Sequence, residues 1–108
     1  MVIEKLETRD IRFQLEGEAG SDAVHQNPQY SYPTAVLKTD QGLEGIGWAF
    51  TLGAGNDLVC QAMATLGQSL VGQELESLMA DFGTFTRRLE NHPQLRWLGP
   101  HKGLVQLA

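Results

Sequence analysis

Six consecutive residues, Gly45-Ile46-Gly47-Trp48-Ala49-Phe50, alternate tiny with bulky side chains, and few patterns leave a backbone so little choice. Successive side chains on a strand point to opposite faces, so Ile46, Trp48 and Phe50 share one face while Gly45, Gly47 and Ala49 share the other. The bulky row reads as a core face, and the bare row lets another backbone lie close. Just upstream, Ala35-Val36-Leu37-Lys38-Thr39 is short and rich in strand formers. Asp40-Gln41-Gly42 between the two suits a three-residue hairpin turn with Gly42 in the left-handed conformation. Thr34 to Leu70 therefore reads as strand, turn, strand, glycine loop and helix.

The segments on either side fit an α+β domain. Residues 2 to 15 form a first strand, with Ile11, Phe13 and Leu15 alternating against Arg12 and Gln14. Ile3 and Leu6 are three apart, which calls for a bulge near Glu7 to Arg9. Residues 16 to 32 lose all period, being dominated by Gly, Ser, Asp, Asn and Pro, and a connection this long is usually a lid or binding loop. Strands are expected over about 34–40 and 44–51. After the glycine loop, Leu58, Ala62, Leu66 and Leu70 with Val59 and Met63 form a helical stripe over about 56–71, with Asn56 as N-cap and Gly72 as the stop. A second helix over about 75–90 follows from the three-four steps of Leu75, Leu78, Phe82, Phe85 and Leu89, with Asn91-His92-Pro93 ending it. Pro100 suits the first position of a third helix, 100–108, which reaches the end of the chain after two turns. The sequence therefore reads as one domain of something longer.

Charge and composition exclude several functions. The formal net charge of −5 and the sparse cations of the last segment (Arg87, Arg88, Arg96, Lys102) do not make a nucleic-acid surface. No run approaches the 18 apolar residues of a membrane span, and no basic segment precedes an apolar one at the start, so the expected compartment is the cytoplasm. Cys60 has no second cysteine to pair with and reads as a half-buried apolar residue of the helix. Gly53-Ala54-Gly55 lies between strand and helix but lacks a third glycine, with Leu58 in its place, and no parallel strand follows to make a dinucleotide fold. His25, His92 and His101 lack zinc spacing, and Glu16, Glu18 and Asp22 lack the glycine of a calcium loop. No nucleophile stands beside an activating base. The residues by themselves supply no catalytic group and no metal ligand.

Six stretches together resemble a known family: Thr8-Arg9-Asp10-Ile11-Arg12-Phe13, Gly20-Ser21-Asp22-Ala23, Asn27-Pro28-Gln29-Tyr30-Ser31, Val36-Leu37-Lys38-Thr39-Asp40, Phe50-Thr51-Leu52-Gly53 and the ten residues from Gln94 to Gly103. They are similar to the N-terminal capping domain of the enolase superfamily, in its mandelate racemase and muconate lactonising group, nearest the L-fuconate dehydratase branch. The resemblance implies a three-stranded antiparallel meander followed by two to three helices, normally closing over a (β/α)₈ barrel that these residues do not contain. It implies dehydration of a sugar acid to a 2-keto-3-deoxy acid, with Mg²⁺ and all acid-base groups in the barrel and none in this chain. It implies that Gly20, Ser21, Asp22 and Tyr30 touch the substrate from the lid loop. The implied partners are the barrel of the same enzyme or another chain, and the sugar acid; separately, the bare strand face and the abbreviated last helix leave apolar area that a homo-oligomer would cover. Gln14-Leu15-Glu16 and Tyr32-Pro33 depart from the branch, and both departures fall beside the lid. The alternative function is a stand-alone binding or oligomerisation module with the same fold.

Overall fold

The alternating segment forms the last strand of a meander. A computed structural model of the chain describes residues 1–14 and 29–101. In it β1 (Ile3–Gln14), β2 (Gln29–Thr39) and β3 (Glu44–Trp48) pair in the order β1-β2-β3, each antiparallel to its neighbour. Helices α1 (Asn56–Gln68), α2 (Leu75–Ala80) and α3 (Phe82–Glu90) follow, then a 3-10 helix over Leu95–His101. The expected fold class, a three-stranded antiparallel sheet followed by helices, is the one adopted. Among the described residues no helix is long and apolar enough to cross a membrane.

Register decides which side chains share a face. Tyr32 of β2 lies opposite Ile11 of β1, and Thr34 lies opposite both Arg9 of β1 and Trp48 of β3. Partners directly across a ladder point the same way. One face thus carries Ile11, Phe13, Tyr32, Thr34, Ile46 and Trp48, and the other carries Leu6, Ala35, Leu37, Gly47 and Ala49.

The expected core face is the wrong one. Ala49 is 2% exposed, and it joins Ala35, Met63, Leu66 and Leu95 in a buried cluster edged by Leu6, Val59, Ala62 and Leu89. Ile46 and Trp48 are 62% and 57% exposed. The reason lies in α1, which brings its own bulk: Met63 and Leu66 fill the space above the sheet, so the floor beneath them has to be small for the layers to reach interior packing density. Closest approach is at Gly67, where an added Cβ would sit 2.6 Å from Cδ1 of Leu6. The helix lies over β1 and β2, and at Gly45 the bare row stays exposed with open space above it.

Element ends differ from the sequence expectation for local reasons. β2 begins at Gln29, so the last four residues read as lid, 29–32, are strand, and they pair with the end of β1. Tyr30 and Tyr32 are strand formers whose partners, Phe13 and Ile11, lie outside any local window. β3 stops at Trp48 rather than near 51 because Pro33 faces Ala49. The Ala49 N–H donates to the Pro33 carbonyl at 3.0 Å, but proline has no N–H to return, so the ladder breaks there and resumes as the Ser31–Thr51 bridge. The helical stripe is rotated, with Met63, Leu66 and Gly67 inward and Leu58 exposed, and α1 ends at Gln68. Gly55, at φ 85°, takes the N-cap position expected of Asn56, which is drawn inside. The single helix expected over 75–90 is two, because Asp81 leaves helical geometry and its side chain accepts the Thr84 N–H at 3.2 Å to cap α3. The irregularity of β1 falls between Ile3 and Lys5 instead of near Glu7 to Arg9. The turn at Gly42, with φ 78°, is as expected. Most of the third helix expected over 100–108 lies outside the described residues.

The start of β1 is stitched to the segment between α1 and α2. Ile3 N–H donates to the Gln73 carbonyl, Gly72 N–H to that of Ile3, and Leu75 N–H to that of Met1, at 2.8–3.0 Å. The Val2 N–H donates to Asp40 of the hairpin turn at 2.9 Å.

Candidate functional site

The end of β1, the start of β2 and the loop between β3 and α1 meet at one rim of the sheet. The Ser31–Thr51 bridge ties that loop to β2 through two backbone hydrogen bonds of 3.1 and 2.9 Å. Side chains then extend the tie. Ser31 Oγ and Thr51 Oγ1 are 2.6 Å apart, and the Thr51 hydroxyl donates to Oδ1 of Asn56. With its proton so used, Thr51 accepts from Ser31 and, at 3.3 Å, from the Gly53 N–H. Asn56 Nδ2 donates to Asp10 at 2.6 Å, and the other Asp10 oxygen accepts from Arg12 Nε at 2.9 Å.

Ser31 and Asn56 are fully buried, so each of these groups would be costly to leave unmet, by about 1–3 kcal/mol. Burial alone would raise the Asp10 carboxyl, but hydrogen bonds from Asn56 and Arg12, with the Arg12 charge, outweigh it and hold the pKa below the ordinary value. An ionised Asp10 thus anchors a polar chain running Arg12–Asp10–Asn56–Thr51–Ser31. It fixes the β3–α1 loop against both other strands. Sequence reasoning missed this chain, since Asn56 was expected to cap its own helix and Asp10 sits in an unremarked alternation. The available signal was an Asn following a glycine loop, together with Thr51 and Asp10 in two of the resembling stretches.

Of the four residues implied to touch substrate, Tyr30 is described. It stands at the rim on β2, exposed, opposite Phe13 and edge-on to Phe50 with ring centroids 5.5 Å apart. Phe50 also meets Tyr32, and Tyr32 meets Phe13. Gly20, Ser21 and Asp22 lie outside the described residues, so the structure does not bring them together with Tyr30.

The far end of the same face has a different character. Glu7 is paired with Lys5 at 2.8 Å, Lys38 at 3.5 Å and Arg9 at 3.6 Å, and Lys38 also reaches Glu44. The hydrogen bond from Lys5, followed by the charges of Lys38 and Lys5, lowers the Glu7 pKa. Groups with chemical potential elsewhere are occupied with structure. Cys60 Sγ lies 3.8 Å from the Arg9 carbonyl, and burial and then the Asp10 charge push its thiol pKa up, away from the reactive thiolate. His92 Nδ1 accepts the N–H groups of Gln94 and Leu95 at the entry to the 3-10 helix. Among the described residues no group of three His, Cys, Asp or Glu side chains could hold a metal ion, so none of them fits the Mg²⁺ that the resemblance implies.

No protein-family model matches the sequence. The chain is 44% identical over 102 residues to L-galactonate dehydratase of Hypocrea jecorina, covering 94% of this chain and 23% of that protein. It is 41% identical over 109 residues to mitochondrial enolase superfamily member 1 of Homo sapiens, covering 98% of this chain and 25% of that one. The crystal structure of that human protein superposes with a TM-score of 0.85 at 40% identity, over 96% of this chain and 24% of that chain. A racemase from Streptomyces coelicolor A3(2) with bound magnesium superposes with a TM-score of 0.74 at 19% identity, over 94% of this chain and 28% of that chain, a likeness of fold alone. The chain thus spans about a quarter of the length of the curated relatives it matches.

Proposed function

Because the chain belongs to the N-terminal capping region of the enolase superfamily, we propose that it is the specificity cap of a sugar-acid dehydratase of the L-fuconate dehydratase type. The 44% identity of 94% of this chain to a stretch making up 23% of L-galactonate dehydratase of Hypocrea jecorina supports this reading. On this reading the rim meets the mouth of a (β/α)₈ barrel. Tyr30 offers a ring wall and a phenol, Ser21 and Asp22 hydrogen-bond sugar hydroxyls, and Gly20 lets the backbone come close. The polar chain from exposed Arg12 to buried Ser31 keeps the β3–α1 loop in place while the lid closes and excludes water. Mg²⁺ and the acid-base groups belong to the barrel, and this chain's part is to bind and orient.

The test is a chimera in which this chain replaces the corresponding cap of the Hypocrea jecorina enzyme. Formation of a 2-keto-3-deoxy acid from L-galactonate or L-fuconate with Mg²⁺ is the expected outcome. Tyr30→Phe and Asp22→Asn should each raise KM about tenfold, the worth of one hydrogen bond to a bound ligand, with kcat little changed. A folded chimera that turns over no sugar acid would sink the reading. The isolated chain with Mg²⁺ and L-fuconate is expected to make no keto acid, and turnover by it would place the chemistry within these residues.

One observation favours a second reading, an assembly module. It is the uncovered bulky face of the sheet.

A further inference from the structure

We infer that the crevice between α3 and the turn after α1 is a binding site for a small carboxylate with a compact apolar body. The spacing of the chain prepares it. Phe85, Arg88, Leu89 and His92 stand at i, i+3, i+4 and i+7, which brings them to one face of α3 and of its extension toward Pro93. Leu70 of the turn after α1 and Leu78 of α2 form the opposite wall. The two walls do not close. No residue of α3 is fully buried, although Phe85 and Leu89 turn inward to half-burial, and a space of about 120 Å³ is left between the walls. Protein interiors rarely leave a void larger than a water molecule, so an apolar space of this size is a place for something else.

Size sets the body of the ligand. An apolar cavity of about 150 Å³ takes one benzene ring, so this crevice, open on one side, suits a ring or a branched chain of that order. Polarity sets its head group. The residues at the mouth offer donors: Arg88 a guanidinium, Gln73 an amide and His92 a ring N–H. The His92 assignment follows from its other nitrogen. Nδ1 accepts the N–H groups of Gln94 and Leu95 at 3.3 and 3.4 Å, which leaves the ring proton on Nε2 and holds the ring in place. Among the described residues no Asp or Glu lines the crevice, and no ion pair occupies Arg88. Asp81, at the head of α3, is committed to the N–H and hydroxyl of Thr84.

A cation alone would favour any anion, and an apolar hole alone would favour any small hydrocarbon. Side by side they call for both on one molecule, with the carboxylate on the guanidinium fork and the body against Leu78, Phe85 and Leu89. A sugar acid does not fit this description, because its hydroxyls would face those apolar side chains without partners. Position also separates the crevice from the rim. The 13 residues of α1 begin at the rim with Asn56 and run about 20 Å, and the crevice lies past their other end. It is therefore a second site, and it stands whether or not the dehydratase reading does.

The test is a titration of the isotope-labelled 108-residue chain with benzoate at constant ionic strength, followed by nuclear magnetic resonance. Saturable shifts of the Leu78 and Leu89 methyl signals and the Phe85 ring signals are expected, with a dissociation constant on the order of 1 mM, ordinary for a ligand of so few atoms. Benzamide has the same ring without the charge and should bind at least tenfold more weakly. L-Fuconate has the charge without the apolar body and should shift none of these signals. Arg88→Gln, at an exposed position and checked for folding by circular dichroism, should weaken benzoate about tenfold. Arg87→Gln removes the same charge one residue away, outside the crevice, and should leave binding unchanged. Absence of saturable shifts up to about 20 mM benzoate, well beyond the expected constant, overturns the inference. Benzamide or L-fuconate binding as tightly as benzoate also overturns it, as does an equal loss in Arg87→Gln and Arg88→Gln.

Discussion

The two faces of this sheet are made by the same three strands, yet they follow opposite rules. On the helix side the buried sheet residues Ala35 and Ala49 are small, because α1 supplies the bulk of Met63 and Leu66 over them. On the far side the β1 and β3 residues Phe13, Ile46 and Trp48 are large and exposed, while Thr34 and Val36 of β2 are buried between their neighbours. Alternation in a strand tells which residues belong together. It does not tell which group is inside, because that depends on what each face is packed against.

Adjacent residues offer the sharpest way to break this contrast. Ala49→Trp forces a large side chain under α1 and is expected to lower stability by about 3 kcal/mol, read as a fall in the urea midpoint. Asn56→Ala leaves Asp10 and Thr51 without their shared partner on the helix side, at a cost of about 2 kcal/mol in the same measurement. Gly67→Ala gains about 1 kcal/mol of helix propensity but collides with Leu6, and the net effect should be a loss of about 1 kcal/mol. In a Leu6→Ala chain the same substitution should stabilise, and a double-mutant cycle would show the change of sign.

Acid should act through the helix side as well. The folded Asp10 carboxyl has a pKa below its ordinary 3.8. Its contribution is therefore complete above that value and is lost as pH falls through the lower, folded one. Melting curves between pH 2.5 and 5 should show the midpoint dropping toward the acid end, less steeply in Asp10→Asn. The smallest effect belongs to the other face. Trp48→Ala, one residue from Ala49, should change the stability of the dilute chain by about 0.5 kcal/mol or less. A large loss there would mean that the bulky row is packed after all.

Much of the fold could be read from the sequence because it rests on local signals. The hairpin turn at Gly42, the alternation in β3 and the run of helices after it each need only a few neighbouring residues. The errors came from distant partners. Tyr30 to Tyr32 look like loop until Phe13 and Ile11 are set beside them, and β3 looks two or three residues longer until Pro33 is found opposite Ala49. Asp81 splits one apolar period into two helices because a single cap outweighs a continuous stripe. Of the four residues expected at the site, Gly20, Ser21 and Asp22 lie outside the described residues. Tyr30 was singled out and stands at the rim, whereas the polar chain through Asn56 joins residues 46 apart in sequence, and no spacing rule reaches that far.

The stitching of β1 to the segment after α1 has a further effect on how chains meet. A bare outer strand is a template on which another polypeptide can add and keep adding, the route to fibrils. Here the opening residues of that strand already have their hydrogen-bonding edge taken by Gly72, Gln73 and Leu75, and a register slip follows directly after. Further along, Lys5, Glu7 and Arg9 set charges along the same margin, and at the opposite margin β3 runs for only five residues. Growth sideways is thus discouraged at both borders of the sheet.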